Sequence, residues 1–194
     1  MRVSREQAKE NHQRVIDTAA GLLREHGYDG IGVADLMKAA GLTQGGFYRN
    51  FASKDDLILK ATGRALEATG AMLQEELAAA PEAAFQTLIA HYLSGEHRDG
   101  RASGCILPAL AADASRRDDP ALRAVFVDAI EAYLHTLAAI APSIPEGSRA
   151  RDPAAILAEM VGAVVLARAM GAGDKADKLL GAVVHDLTDA PQAS

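Results

Sequence analysis

The chain has 194 residues, of which 49% are hydrophobic, with a mean hydropathy of +0.00. That is enough for one domain or two small ones with a buried core, and it excludes a disordered polymer. Cys105 is the only cysteine, so no intramolecular disulfide can form and a reducing cytoplasm is the expected compartment. A net charge of −6 argues against nonspecific nucleic-acid binding by the whole surface.

The charge is uneven. Residues 1–64 hold ten Lys/Arg and eight Asp/Glu, net +2, while the remainder holds ten and eighteen, net −8. Only the head is suited to a polyanion. The opening "MRVSREQAKENHQR" is charged and has no apolar stretch, so no signal peptide is expected. The longest uninterrupted apolar run, "MVGAVVLA", is bounded by Glu159 and Arg168 and falls short of the roughly 18–20 residues of a membrane span.

In chain order the punctuation is helical. Ser4-Arg5-Glu6-Gln7 is a capping-box pattern, followed by Val15, Ile16, Ala19, Leu22 and Leu23 at helical spacing up to Gly27. "VADLMKAA" predicts a helix over 33–40, stopped by Gly41, and Thr43 can cap a short helix ending near Asn50. Ser53-Lys54-Asp55-Asp56 opens a long helix to about Ala80. Pro81 starts a helix reaching about His97, "RDGRASG" reads as a loop, and a shorter helix runs from about Cys105 to Ser115. Asp119-Pro120 and Asp152-Pro153 each read as N-cap plus first helical residue, on either side of the connector "APSIPEGSRARD". A last helix spans about 174–187, and the tail "TDAPQAS" is expected to fray. Strand patterns are nearly absent. The expectation is an all-α chain of about nine helices, divided into a head (1–52) and a body (53–194).

Residues 33–51 have the form of a helix-turn-helix: an eight-residue helix, a glycine turn and a second short helix. Leu36, Met37 and Ala40 face inward, Leu42 plugs the turn, and Phe47 and Phe51 share one face of the second helix. Gly41 fits a left-handed turn position. The outward face is then Thr43, Gln44, Gly45, Tyr48 and Arg49, with Gly46 towards its flank. Gln can pair with adenine and Arg with guanine or a phosphate. Hydroxyls of Thr and Tyr donate to phosphates, and Lys54 adds a second clamp. Two glycines would let the backbone lie closer to the groove floor, at a cost of about 1 kcal/mol of helix stability each.

"VADLMKAAGLTQGGFYRNFASKDDL", with "VIDTAAGLLREHGYDGIGV" before it, resembles the DNA-binding domain of the tetracycline-repressor (TetR) family of bacterial regulators, over about residues 12–58. The resemblance implies that positions matching Thr43, Gln44, Gly45, Tyr48, Asn50 and Lys54 touch DNA. It also implies an all-α ligand-binding and dimerisation domain beyond. Two positions depart from the family pattern: Gly32 stands where Ser or Thr usually caps the first motif helix, and Met37 stands where alanine is usual.

The body supplies the remaining candidates. Helical patterning marks Phe85, Ile89, Tyr92, Leu107, Phe126, Ile130 and Tyr133, with Cys105, as lining for an apolar effector cavity. Cys105 admits two readings. It is a small packing residue, or, at the first turn of its helix, a thiol activated for redox or electrophile sensing, as the resemblance implies for family members with Gly-Cys at this point. His91 and His97, six apart on one predicted helix, fall on opposed faces and give no metal pair. His97, Asp99 and Cys105 lack any further catalytic signature. No catalytic residue, metal or cofactor is expected. The nearly all-apolar run 156–170 and the small residues Gly162, Ala163, Gly181 and Ala182 predict a homodimer through the last two helices. The function expected from the resemblance is a cytoplasmic, ligand-responsive repressor that binds a palindromic double-stranded DNA operator as a dimer and is released by a small-molecule effector.

Overall fold

A computed structural model of the chain describes residues 5–141 and 151–188. Among these residues there are ten α-helices and no strand. They are α1 (Arg5–His26), α2 (Val33–Ala39), α3 (Phe47–Asn50), α4 (Lys54–Ala79), α5 (Ala84–Tyr92), α6 (Gly95–Asp99), α7 (Ile106–Ser115), α8 (Pro120–Ile140), α9 (Pro153–Met170) and α10 (Asp174–Thr188). Short 3-10 turns precede α3 (Gln44–Gly46) and α5 (Pro81–Ala83). Ser4 of the first capping box, most of the "APSIPEGSRARD" connector and nearly all of the tail lie outside the described residues.

The helix starts follow from side-chain caps. Ser53 Oγ accepts from the Asp56 N–H (3.0 Å), and Asp56 Oδ2 accepts from the Ala52 N–H (3.0 Å). Asp119 Oδ1 accepts from the Ala121 and Leu122 N–H groups (2.9 and 3.1 Å), and Asp152 Oδ1 from the Ala154 N–H (2.8 Å), with proline next in each case. The expected single helix from Pro81 to His97 is corrected. It breaks after Tyr92, and Ser94 Oγ caps the separate α6 by accepting from the His97 N–H (3.0 Å). The break also corrects the expectation for the histidines. The His91 and His97 rings are not on opposed faces of one helix but lie 6.1 Å apart.

By packing, the chain forms two compact units, residues 1–69 with 101–125 and residues 70–100 with 126–194. These packing units do not coincide with a functional division at residue 53. In the first unit α1 packs on α2 and α7. Its core includes Val15, Leu23, Tyr28, Leu36, Met37, Phe47, Leu57 and Ile106, all essentially fully buried. Residues 113–117 grip the end of α1. Asp113 Oδ2 accepts from the Tyr28 N–H (3.0 Å), Arg117 pairs with Asp29 and Asp55, and the Tyr28 hydroxyl meets Thr62 Oγ1 (3.0 Å). Burial pushes the Tyr28 phenol up to about 12, so it stays neutral.

In the second unit α9 packs against α10 and α6, and α10 against α5. Among the described residues α9 is the one helix long and apolar enough to cross a membrane by length and composition. Here it instead buries Ile156, Leu157, Met160, Ala163, Val164 and Ala167 within the unit. Arg168 caps the end of α6 by donating to the His97 and Arg98 carbonyls (both 3.0 Å). Burial pushes His97 down to about 4, and its neutral ring donates Nδ1–H to the Tyr92 carbonyl (2.6 Å).

Candidate nucleic-acid interface

The helix-turn-helix is built as its sequence dictates, with one local difference. At the turn, Gly41 has φ +73, and the Leu42 and Gly41 N–H groups close on the Met37 and Lys38 carbonyls (2.9 and 3.0 Å). That is a Schellman closure, and only glycine takes its left-handed position without strain. The second helix, expected to be continuous, starts instead as the 3-10 turn Gln44–Gly46 and becomes α-helical only over Phe47–Asn50. Two consecutive glycines and the absence of a side-chain cap from Thr43 account for the poor start. Gly32 likewise leaves α2 without a side-chain cap.

So short a helix is held from behind. Phe47 is fully buried, with its ring 5.4 Å from that of Phe51. The Phe51 ring is stacked on His12 (4.7 Å), and Lys60 Nζ lies 5.5 Å from its centroid. Met37, at the elbow between the two motif helices, is fully buried. Its Cε lies 3.8 Å from where a Cβ on Gly46 would stand, an ordinary contact.

The expected outward residues Thr43, Gln44, Gly45, Tyr48 and Arg49 are all exposed, Tyr48 at 77%. Gly46 and Lys54 are half-buried. Asn50 is half-buried too, and its Nδ2 donates to the Gly46 carbonyl (2.8 Å), so one of its donors already braces the helix. Nothing in this chain lies within 4 Å of a Cβ built on Gly45.

Ion pairing sorts the cations of this unit. Lys60 pairs with Asp56, Arg64 with Asp17, and Arg117 with Asp29 and Asp55. Lys60, together with the Ala52 N–H, holds the Asp56 carboxyl below its ordinary range. Among the described residues Lys38, Arg49 and Lys54 enter no ion pair, and neither do Arg5, Lys9 and Arg14. Lys38, in the last turn of α2, was not singled out from sequence, because a lysine near a helix C-terminus is ordinary on dipole grounds alone. The result is a polar, partly cationic face with no bulk at its centre, suited to hydrogen-bonding into a groove while cations beside it meet phosphates.

The candidate cavity residues fall differently. Phe85, Ile89, Tyr92, Phe126 and Tyr133 are buried in the second unit, and Cys105 and Leu107 in the first. Ile130, expected with them, is instead 38% exposed, because α8 turns that position outward. Cys105 precedes α7. Nearby, half-buried Arg24 donates to the Ala20 and Gly104 carbonyls (3.0 and 3.1 Å), and burial lowers its pKa. Among the described residues no carboxylate pairs with Arg24.

Residues 15–61 match the family model described as bacterial regulatory proteins, tetR family. An uncharacterized HTH-type transcriptional regulator of Bacillus subtilis, YwcC, is 46% identical over 44 residues, 23% of this chain and 20% of that protein. The chain matches under a third of the length of the curated relatives. Over nearly the whole chain it is similar to a TetR transcriptional regulator from Chloroflexus aurantiacus, with a TM-score of 0.78 at 26% identity, covering 95% of this chain and 98% of the other. It shares its fold with AibR, solved in complex with isovaleryl coenzyme A and operator DNA, at a TM-score of 0.62 and 14% identity over 91% of this chain and 97% of that one.

Proposed function

From the match of residues 15–61 to the tetR family of bacterial regulatory proteins and the likeness of the whole fold to a TetR regulator, we propose that the chain is a cytoplasmic, ligand-responsive transcriptional repressor of that family. Residues 1–52 read a palindromic operator, and residues 53–194 bind an effector and dimerise. The observation that carries this reading is the exposed face of Thr43, Gln44, Gly45, Tyr48 and Arg49, flanked by cations that have no carboxylate partner among the described residues. In a dimer two such faces enter successive major grooves about 34–36 Å apart. The last two helices supply the dimer contact, for which the exposed apolar residues Val165, Leu166 and Met170 of α9 are the support. An effector enters an apolar cavity of the second unit, lined from Phe85, Ile89, Tyr92, Phe126 and Tyr133, and prefers the state in which the heads are wrongly spaced. The AibR neighbour, solved with both a coenzyme A ester and operator DNA, lends this scheme support by analogy of fold.

Selection from a random DNA pool tests the proposal. The expected result is a palindrome. Tyr48→Ala and Lys54→Ala should weaken binding to all sequences and flatten its salt dependence, and Gln44→Ala should alter the preferred sequence. Recovery of no palindrome would sink it.

One observation favours a second reading, a thiol-based sensor. Among the described residues Arg24 pairs with no carboxylate, and its guanidinium donates to the Gly104 carbonyl, next to Cys105 ahead of α7, which places a cation beside the thiol. Oxidant-driven release from DNA that persists in Cys105→Ser would remove this reading and leave the first.

A further inference from the structure

We propose that the first two turns of α1 form a second DNA-contact element, in which Arg5 and Lys9 grip backbone phosphates beside the groove occupied by the α3 face. The proposal rests on the DNA-binding reading above and extends it to a surface outside the helix-turn-helix.

Arg5, Lys9, His12 and Ile16 lie within about 60° of one another around α1, at ~100° per residue. Along that stripe the environment changes stepwise. Ile16 is buried, His12 is half-buried with its ring stacked on Phe51, and Lys9 and Arg5 are exposed. The stripe therefore runs from the core, past the junction of α3 and α4, into solvent. Glu6 lies ~60° from Lys9 and ~100° from Arg5, at the edge of the stripe, and Glu10 lies ~100° or more from every member of it.

Direction follows from the contacts with α4. His12 stacks on Phe51, three residues before α4 begins, while Asp17, five residues on, bonds Arg64 within it (2.8 Å). As α1 advances, so does its partner position in α4, so the two helices run the same way and their N-termini point to the same end of the unit. That end carries Lys54, the first residue of α4, and α3 immediately before it. Lys9 and Arg5 stand ~4.5 and ~10 Å back from His12 along the axis, at 1.5 Å per residue. They are thus level with the start of α4 or beyond it, on the side the DNA would occupy.

Charge completes the argument. Lys60 and Arg64, further along α4, and Arg117 are each held by carboxylates, whereas among the described residues Arg5 and Lys9 are in no ion pair. A cation already paired must give up its partner to meet a phosphate, and these two need not. Because phosphate contacts carry no base information, the element adds affinity and register without changing sequence preference.

The test is operator binding by the full chain across a salt series, comparing wild type, Arg5→Gln/Lys9→Gln and Arg14→Gln. Arg14 is exposed on the opposite side of α1 and serves as the charge control. Glutamine keeps helix propensity, and circular dichroism checks the fold. The double variant removes four cations per dimer, so the slope of log K against log salt should fall in magnitude by about 3–4, and affinity near 0.1 M salt should drop roughly 100- to 10,000-fold. The selected sequence should not change, and Arg14→Gln should keep the wild-type slope. A double variant with the wild-type slope, or an Arg14→Gln effect as large, overturns the proposal while leaving the repressor reading intact. A wild-type chain that binds no selected DNA overturns the repressor reading itself.

Discussion

Two exposed helix faces, on α3 and α9, are opposites in nearly every respect. α3 has four residues, enters through a glycine 3-10 turn and lacks a side-chain cap. No such segment is helical by itself. It is held by Phe47 and Phe51, and what it shows to solvent is polar. α9 has eighteen residues, an Asp-Pro start and a glycine stop at Gly171 (φ +77), and its sequence is helical on local grounds. What it shows to solvent, beside its buried stripe, is apolar: Val165, Leu166 and Met170. The difference separates rigidity from partner chemistry. In the proposed roles, a reading head gets its geometry from tertiary anchors and leaves its free side to hydrogen-bonding groups, and an association helix is self-sufficient and spends its free side on apolar contact.

Breaking the anchor should have the largest effect. Phe47→Ala removes a fully buried ring from the first unit and should cost about 3–5 kcal/mol of stability. A urea titration followed by circular dichroism would measure it. A loss under 1 kcal/mol would mean that α3 is not held by this ring, and the contrast with α9 would fail. Next in size is Leu166→Glu, on an exposed α9 position that should need no repacking within the chain. It should leave the thermal midpoint of the isolated chain nearly unchanged but raise the dimer dissociation constant about 100-fold, or ~2.7 kcal/mol. Analytical ultracentrifugation reads this directly, and an unaltered dimer would move the interface off this face.

The same contrast explains what the sequence disclosed. Caps and stops are local chemistry, so Ser53, Asp119-Pro120, Asp152-Pro153 and Gly41 were legible with their roles. The outward set at 43–49 was legible because a four-residue spacing of Phe47 and Phe51 leaves only one other face. The break after Tyr92 was not, because Ser94 caps α6 inside a stretch whose apolar pattern continues through Leu93. Nor was the grip of Asp113 and Arg117 on Tyr28, Asp29 and Asp55. Those contacts join residues 62 to 88 apart in sequence, and no periodicity encodes them. His12 escaped notice for the same reason: its stack on Phe51 is purely tertiary.

The glycine pair gives the smallest and sharpest test. Neither Gly45 nor Gly46 needs a positive φ, so backbone conformation does not require glycine at either place. Alanine at either should strengthen the helix by up to about 1 kcal/mol. Stability and binding should then part company. A Cβ on Gly45 meets nothing in this chain and would point into the space given to the groove floor. Gly45→Ala should therefore weaken operator binding about tenfold, ~1.4 kcal/mol, in a protein that is no less stable. A Cβ on Gly46 makes ordinary contact with Met37 Cε at 3.8 Å, pointing inward. Gly46→Ala should keep binding within about threefold of wild type, less than ~0.7 kcal/mol. Fluorescence anisotropy on the selected operator separates the two. If Gly46→Ala is the more damaging, the groove side of the helix has been assigned to the wrong glycine. If both are silent, the missing side chains do not serve close approach, and the polar face reads DNA from further out than its shape suggests.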